Sequence, residues 1–146
     1  MIKSIAFKPG HLDLIELSDV HSGDPGLIEA YQTGNVGMDF GLTIINQDTK
    51  RVLGVMNGIR IHPKCMEVCM VVSKDALEYP ISFFKEVSFM LDKHIEALGL
   101  TRVQATIRVG HPHLVKWIEM LGFRLEGVLE KFGMDGDDYM LYARVI

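Results

Sequence analysis

The sequence predicts one mixed α/β (α+β) domain, a mostly antiparallel central sheet of about seven strands flanked by about four helices, with one splayed parallel strand pair. Three observations predict it. The apolar period switches repeatedly between two residues, as on a strand face, and about 3.6 residues, as on a helix face. The 146 residues are 48% apolar and 23% charged, which suits a single folded core spanning 1–146 without linker, repeat or low-complexity stretch. A strand, a long helix and a second strand follow one another over residues 65–109, and such a crossover makes the two strands parallel.

The elements follow in chain order. Ile2 to Phe7 reads as a first strand ending at Pro9-Gly10, and His11 to Leu17 as a brief helix. Gly23, Pro25, Gly26, Gly34 and Gly37 punctuate the next stretch, leaving a helix at Gly26 to Thr33. Met38 to Asn46 alternates, with Phe40, Leu42 and Ile44 on one side. Asn46-Gln47-Asp48-Thr49-Lys50 is turn chemistry, and Arg51 to Ile61 completes a hairpin. Pro63 ends that run. Cys65 to Ser73 is almost wholly apolar, as a strand covered on both faces must be.

Ile81, Phe84, Val87, Leu91, Ile95 and Leu98 mark the stripe of a long helix, with Pro80 in its first turn and Gly99 at its stop. Arg102 to Val109 is the next strand. Leu114, Trp117, Ile118 and Leu121 form a second helical stripe closed by Gly122. Phe123 to Glu130 alternates as a strand, and Met134-Asp135-Gly136 turns the chain into a final strand at Asp137 to Ile146. The exposed edge of this hairpin would support a homodimer.

Composition excludes several classes. A formal charge of −4 spread through the chain argues against a nucleic-acid binder, which normally carries a basic face. No apolar run approaches the roughly 20 residues that span a bilayer. MIKSIAFKPG is too short and mixed for a signal peptide, so a cytoplasmic location is expected. Cys65 and Cys69 lie on one face of a strand, roughly 13 Å apart, too far for a disulfide or a shared metal. Free thiols are expected. Asp135-Gly136-Asp137-Asp138 lacks the later glutamate of a calcium loop, and no metal is expected.

A helix closing on Leu121-Gly122-Phe123, then a strand containing Glu126-Gly127 and a terminal hairpin, resembles the last third of the GNAT acyltransferases. The resemblance extends over most of the chain. It implies acetyl-CoA bound in the splay between Cys65–Ser73 and Arg102–Val109, and an amine acceptor, either a small molecule or a protein. The GNAT family holds the CoA pyrophosphate on a loop of pattern Gln/Arg-x-x-Gly-x-Gly/Ala that opens the long helix. Its glycines let backbone amides approach the phosphates, and the helix N-terminus adds partial positive charge. Here that position reads Tyr79-Pro80-Ile81-Ser82-Phe83-Phe84, and no glycine lies between Gly58 and Gly99.

By that resemblance the amides near Ser82, Phe83 and Phe84 would take the pyrophosphate, with Lys74 and Lys85 nearby. Those of Val71 and Val72, beside Ser73, would polarise the thioester carbonyl. His111 falls where many members carry a cofactor-contacting asparagine, and Ile118 where they carry a thiolate-protonating tyrosine. Isoleucine has no proton to give, so that role is either unnecessary, supplied by water, or moved to His111, Tyr139 or Tyr142. His111 also reads simply as a helix cap before Pro112.

Glu67, the one ionisable side chain in an apolar strand, is the candidate general base; a surface carboxylate paired with Arg60 or Arg108 is the competing reading. A second function also suits these residues. Small GNAT-like proteins of tailed bacteriophages, including internal virion proteins, are similar in lacking the glycine loop. That similarity implies a binding or assembly role with virion partners and a place in the virion.

Overall fold

The computed structural model describes residues 1–15 and 39–146. The helix expected at 26–33 and the last residues of the one expected at 11–17 lie outside them. Seven strands form one sheet: β1 (Ile2–Ala6), β2 (Phe40–Asn46), β3 (Val52–His62), β4 (Cys65–Val72), β5 (Arg102–Arg108), β6 (Arg124–Leu129) and β7 (Tyr139–Val145). Their spatial order is β1-β2-β3-β4-β5-β7-β6. Only β4 and β5 run parallel. Helix α1 (Pro80–Leu98) links those two, and α2 (Pro112–Met120) links β5 to β6. No helix among the described residues is long and apolar enough to cross a membrane.

Local chemistry sets the boundaries. The Asn46 side chain accepts hydrogen bonds from the amides of Asp48 and Thr49, closing the β2–β3 turn. Pro80 opens α1, and Gly99 ends it in the left-handed region at φ 62°, where its amide reaches the Glu96 carbonyl at 3.2 Å. Pro9–Leu14 is a short 3₁₀ turn rather than a longer helix. The final hairpin differs from the tight turn expected. Its loop runs over 130–138 rather than through Met134-Asp135-Gly136 alone, and Arg108 pairs with Asp135 and Asp137 within it.

Both helices pack on one face of the sheet. Val87, Leu91 and Ile95 of α1, and Ile118 in α2 with Leu121 just beyond it, are buried against Ile44, Met56, Met66, Val103 and Tyr142. Five of the six residues of the expected α1 stripe, Phe84, Val87, Leu91, Ile95 and Leu98, are buried in or packed on the core, and the difference lies in the first turn. Phe83 is buried while Ile81 is 69% exposed, because residues 83, 87, 91 and 95 align along the helix at four-residue steps. On the other face Leu12 packs with Val55 and Val71, joined by Phe7, Ile15 and Cys69.

Gly58 shows how tightly β2, β3 and β4 meet. A Cβ there would lie 2.3 Å from the Phe40 ring and 2.4 Å from the Met66 sulfur. Gly58→Ala is expected to cost about 1–3 kcal/mol through overpacking. A urea titration showing an unchanged midpoint would contradict this.

Candidate active site

The parallel pair defines the site. Register between β4 and β5 holds only at Cys65–Arg102, Met66–Val103 and Glu67–Gln104, after which the strands separate. The result is a V whose vertex lies at Glu67. Beyond it, the β5 side of β4 has no strand partner among the described residues.

Strand alternation decides which amides face this opening. The Ser73 amide donates to the Leu53 carbonyl on β3 at 2.8 Å, and in an antiparallel pair every second residue repeats that direction. The amides of Cys69 and Val71 therefore also point to β3. Those of Val68, Met70 and Val72 point into the V. Of the residues expected to polarise a thioester, Val72 is directed there and Val71 is not. Ser73 is fully buried, and its hydroxyl accepts from the Asp75 amide at 3.2 Å, capping a 3₁₀ turn at Lys74–Glu78. That turn leads into Tyr79 and the start of α1.

The start of α1 is sparse in donors. Pro80 has no N–H, the Tyr79 amide reaches the Ala76 carbonyl, and the Phe83 amide reaches the Tyr79 carbonyl at 2.9 Å. In a helix the Phe84 amide is likewise taken by the Pro80 carbonyl, which leaves Ile81 and Ser82 as the donors without an intrahelical acceptor. Ser82 is exposed, as are Lys74 and Lys85. Phe83 and Phe84 contribute rings rather than amides: both meet Trp117 of α2 with centroids 5.9 Å apart, one stacked and one edge-on.

Glu67 is half-buried on the sheet face opposite the helices, together with Cys65, Cys69 and Val71. Burial pushes its carboxyl above the usual carboxylate range. Neither expected arginine partner takes it. Arg108 pairs with Asp135 and Asp137, and Arg60 stands opposite Met66, on the alternate face.

The other proposed acid–base groups lie elsewhere. Tyr139 is buried opposite Arg108, four residues along β5 from Gln104 and so about 13 Å from the vertex along the strand. Its hydroxyl has no hydrogen-bond partner among the described residues. His111 occupies the N-cap position of α2 and accepts the Leu114 amide on its backbone carbonyl at 3.1 Å, but its side chain makes no cap bond. It lines a shallow groove of about 380 Å³ with Val109, Pro112 and Val115. Tyr142 is in the core, where burial and then Glu119 push its phenol up, keeping it protonated. Glu67, His111 and Tyr139 are thus not one constellation.

The fold recurs in solved acetyltransferases. An acetyltransferase of the GNAT family from Bacillus anthracis superposes with a TM-score of 0.76 at 17% identity, over 99% of this chain and 94% of that one. The chain has the GNAT fold. A variant of the spermidine N-acetyltransferase of Vibrio cholerae matches with a TM-score of 0.71 at 17% identity, covering 98% and 94%. The ribosomal-protein-S5-alanine acetyltransferase of Vibrio fischeri matches at 0.70 and 15%, covering 99% and 92%. The sequence matches no family model and no curated protein. Those GNAT-fold neighbours are named for acceptors as different as a polyamine and a protein, so the fold alone carries no acceptor.

Two features escaped sequence reasoning. Ile81, not Phe83 or Phe84, shares the free amides with Ser82, a consequence of Pro80 at the first helical position that was legible in the sequence. Asn57, the polar residue between Gly54 and Gly58 on β3, is buried on the same face as Glu67. A lone amide inside an apolar strand was the available signal.

Proposed function

We propose that this chain is an N-acyltransferase that moves an acetyl group from acetyl-CoA to an amine, with an atypical pyrophosphate site. The observation that carries the reading is Glu67, half-buried with a raised pKa at the vertex of the β4–β5 opening. The GNAT fold of named acetyltransferases supports it.

The residues present suit the two halves of the cofactor unequally. Along the pantetheine arm, the amides of Val68, Met70 and Val72 offer donors with no competing strand. At the pyrophosphate, Ile81 and Ser82 offer two amides at a helix N-terminus, while Asp75 and Glu78 sit in the preceding turn and oppose the charge. Acetyl-CoA, when bound, supplies an acyl thioester. Glu67 takes the proton of the incoming ammonium, directly or through a water, freeing the nitrogen to attack the carbonyl. The β4 amides donate to the carbonyl oxygen as it gains charge. As the C–N bond forms and the C–S bond breaks, the second proton of the attacking nitrogen would pass through water to the departing thiolate.

Calorimetric titration with acetyl-CoA and CoA at low salt tests the reading. Micromolar binding is expected, weakened about tenfold in Ser82→Pro, which deletes an anion-facing amide while first-turn proline is tolerated. No heat at millimolar CoA would overturn it.

A further inference from the structure

Asn57 poses a problem that the acyl-transfer reading does not absorb. It is 1% exposed, yet neither its side-chain oxygen nor its nitrogen has a hydrogen-bond partner among the described residues. Three other buried polar side chains, Thr43, Ser73 and Asn46, do have partners, whereas the Tyr139 hydroxyl does not. Thr43 meets His11 Nδ1 at 2.6 Å, the Ser73 hydroxyl accepts from Asp75, and the Asn46 carbonyl oxygen accepts from two amides. An unpaired buried amide is costly, and a leucine, branched at the same carbon with the same number of side-chain heavy atoms, carries no such group.

Its place explains it. Asn57 stands opposite Cys69 on β4 and Gly41 on β2, and Gly41 presents no side chain. Glu67, two residues from Cys69 on the same face, is its diagonal neighbour, with Cβ atoms about 7 Å apart. A small molecule whose ammonium lay at Glu67 would have the Asn57 amide, which can both donate and accept, diagonally across the β3–β4 pair.

Building on the acyltransferase reading, we infer that Asn57 is a specificity-determining residue of the acceptor site, selecting primary amines that carry a second hydrogen-bonding group a few bonds from the nucleophilic nitrogen. The amide is left unpaired by the protein because the acceptor pairs it. Sites built this way discriminate strongly against analogues that lack the polar group, since those leave the buried partner unsatisfied.

The test uses two amines of similar shape, β-alaninamide and isoamylamine, with the full chain. Binding is read first by calorimetry and thermal shift, without acetyl-CoA. The wild-type protein is expected to bind β-alaninamide at least about tenfold more tightly than isoamylamine, and Asn57→Leu to reduce that ratio to about one. Asn57→Leu is also expected to raise Tm by about 3 °C, as removal of an unsatisfied buried group should, and to leave acetyl-CoA binding unchanged. A preference that survives Asn57→Leu overturns the inference. So does a fall in Tm of several degrees, which would make the amide structural, or the absence of any preference in the wild type. Because this readout needs no cofactor, failure of CoA binding would strike the acyl-transfer reading and leave the acceptor result standing.

Discussion

Glu67→Gln is expected to lower the acetyl-transfer rate by about 10²–10³-fold while raising stability at neutral pH. Both effects come from one observation, a carboxyl half-buried at the vertex of the β4–β5 V and raised above its usual range by burial. A raised carboxyl pKa means that the folded state favours the neutral acid. The associated stabilisation is fully present below the unfolded pKa and is lost as pH rises through the folded value. At neutral pH the ionised group is a liability to the fold, and glutamine removes it. The melting temperature of the variant should exceed that of the wild type near pH 7, and the gap should close as pH falls through the ordinary carboxylate range.

Activity has the opposite pH dependence. The wild-type rate should climb as pH rises through the Glu67 pKa, since only the carboxylate takes a proton, and the variant should lack that limb. Rates within about threefold of wild type, with the acidic limb intact, would remove Glu67 from the chemistry. A variant less stable at neutral pH would show instead that the carboxylate is held by interactions of its own.

The second large effect is structural. Phe83→Ala is expected to cost about 3–5 kcal/mol, the range for deleting a buried aromatic ring. The Phe83 ring is 4% exposed and stacked on Trp117, and it crowds Gly54 so closely that a Cβ on that glycine would meet it at 3.1 Å. It therefore ties α1 to both β3 and α2. Phe83→Leu should recover most of the loss, because it refills the volume and forfeits mainly the stacking on Trp117. Equilibrium unfolding in urea distinguishes the cases. A loss below about 1 kcal/mol for Phe83→Ala would mean that the ring is a lining group of an open site rather than part of the core.

The two predictions also separate what was legible in the chain from what was not. Strand and helix identities follow from local rules acting over a few residues. Alternation defines β2 and β6, Pro80 and Gly99 bracket α1, and Gly122 ends the last helix with φ +90°. The parallel relation of β4 and β5 follows from the helix between them, and the lack of a Cys65–Cys69 disulfide from the spacing of those two residues. The missing glycine loop was equally plain. These are properties of sequence spacing, and spacing is visible without a fold.

Other features depended on neighbours far along the chain. The first turn of α1 was misread because Ile81 and Phe83 are both apolar, and only the position of Gly54 and Trp117 decides which one is buried. The direction of the Val71 amide is set by pairing with Val55, a partner 16 residues away, and the one-residue offset between Val71 and Val72 decides which amide can reach a ligand. Glu67 was recognisable as an oddity in an apolar strand, but its role required knowing that Arg108 is taken by Asp135 and Asp137. Asn57 acquired meaning only when Cys69 and Glu67 were placed across from it. Sequence alone determined which segments become strands and helices, because those preferences are local. Tertiary structure alone decided which side chains and amides meet, because register and burial are set by contacts between distant segments.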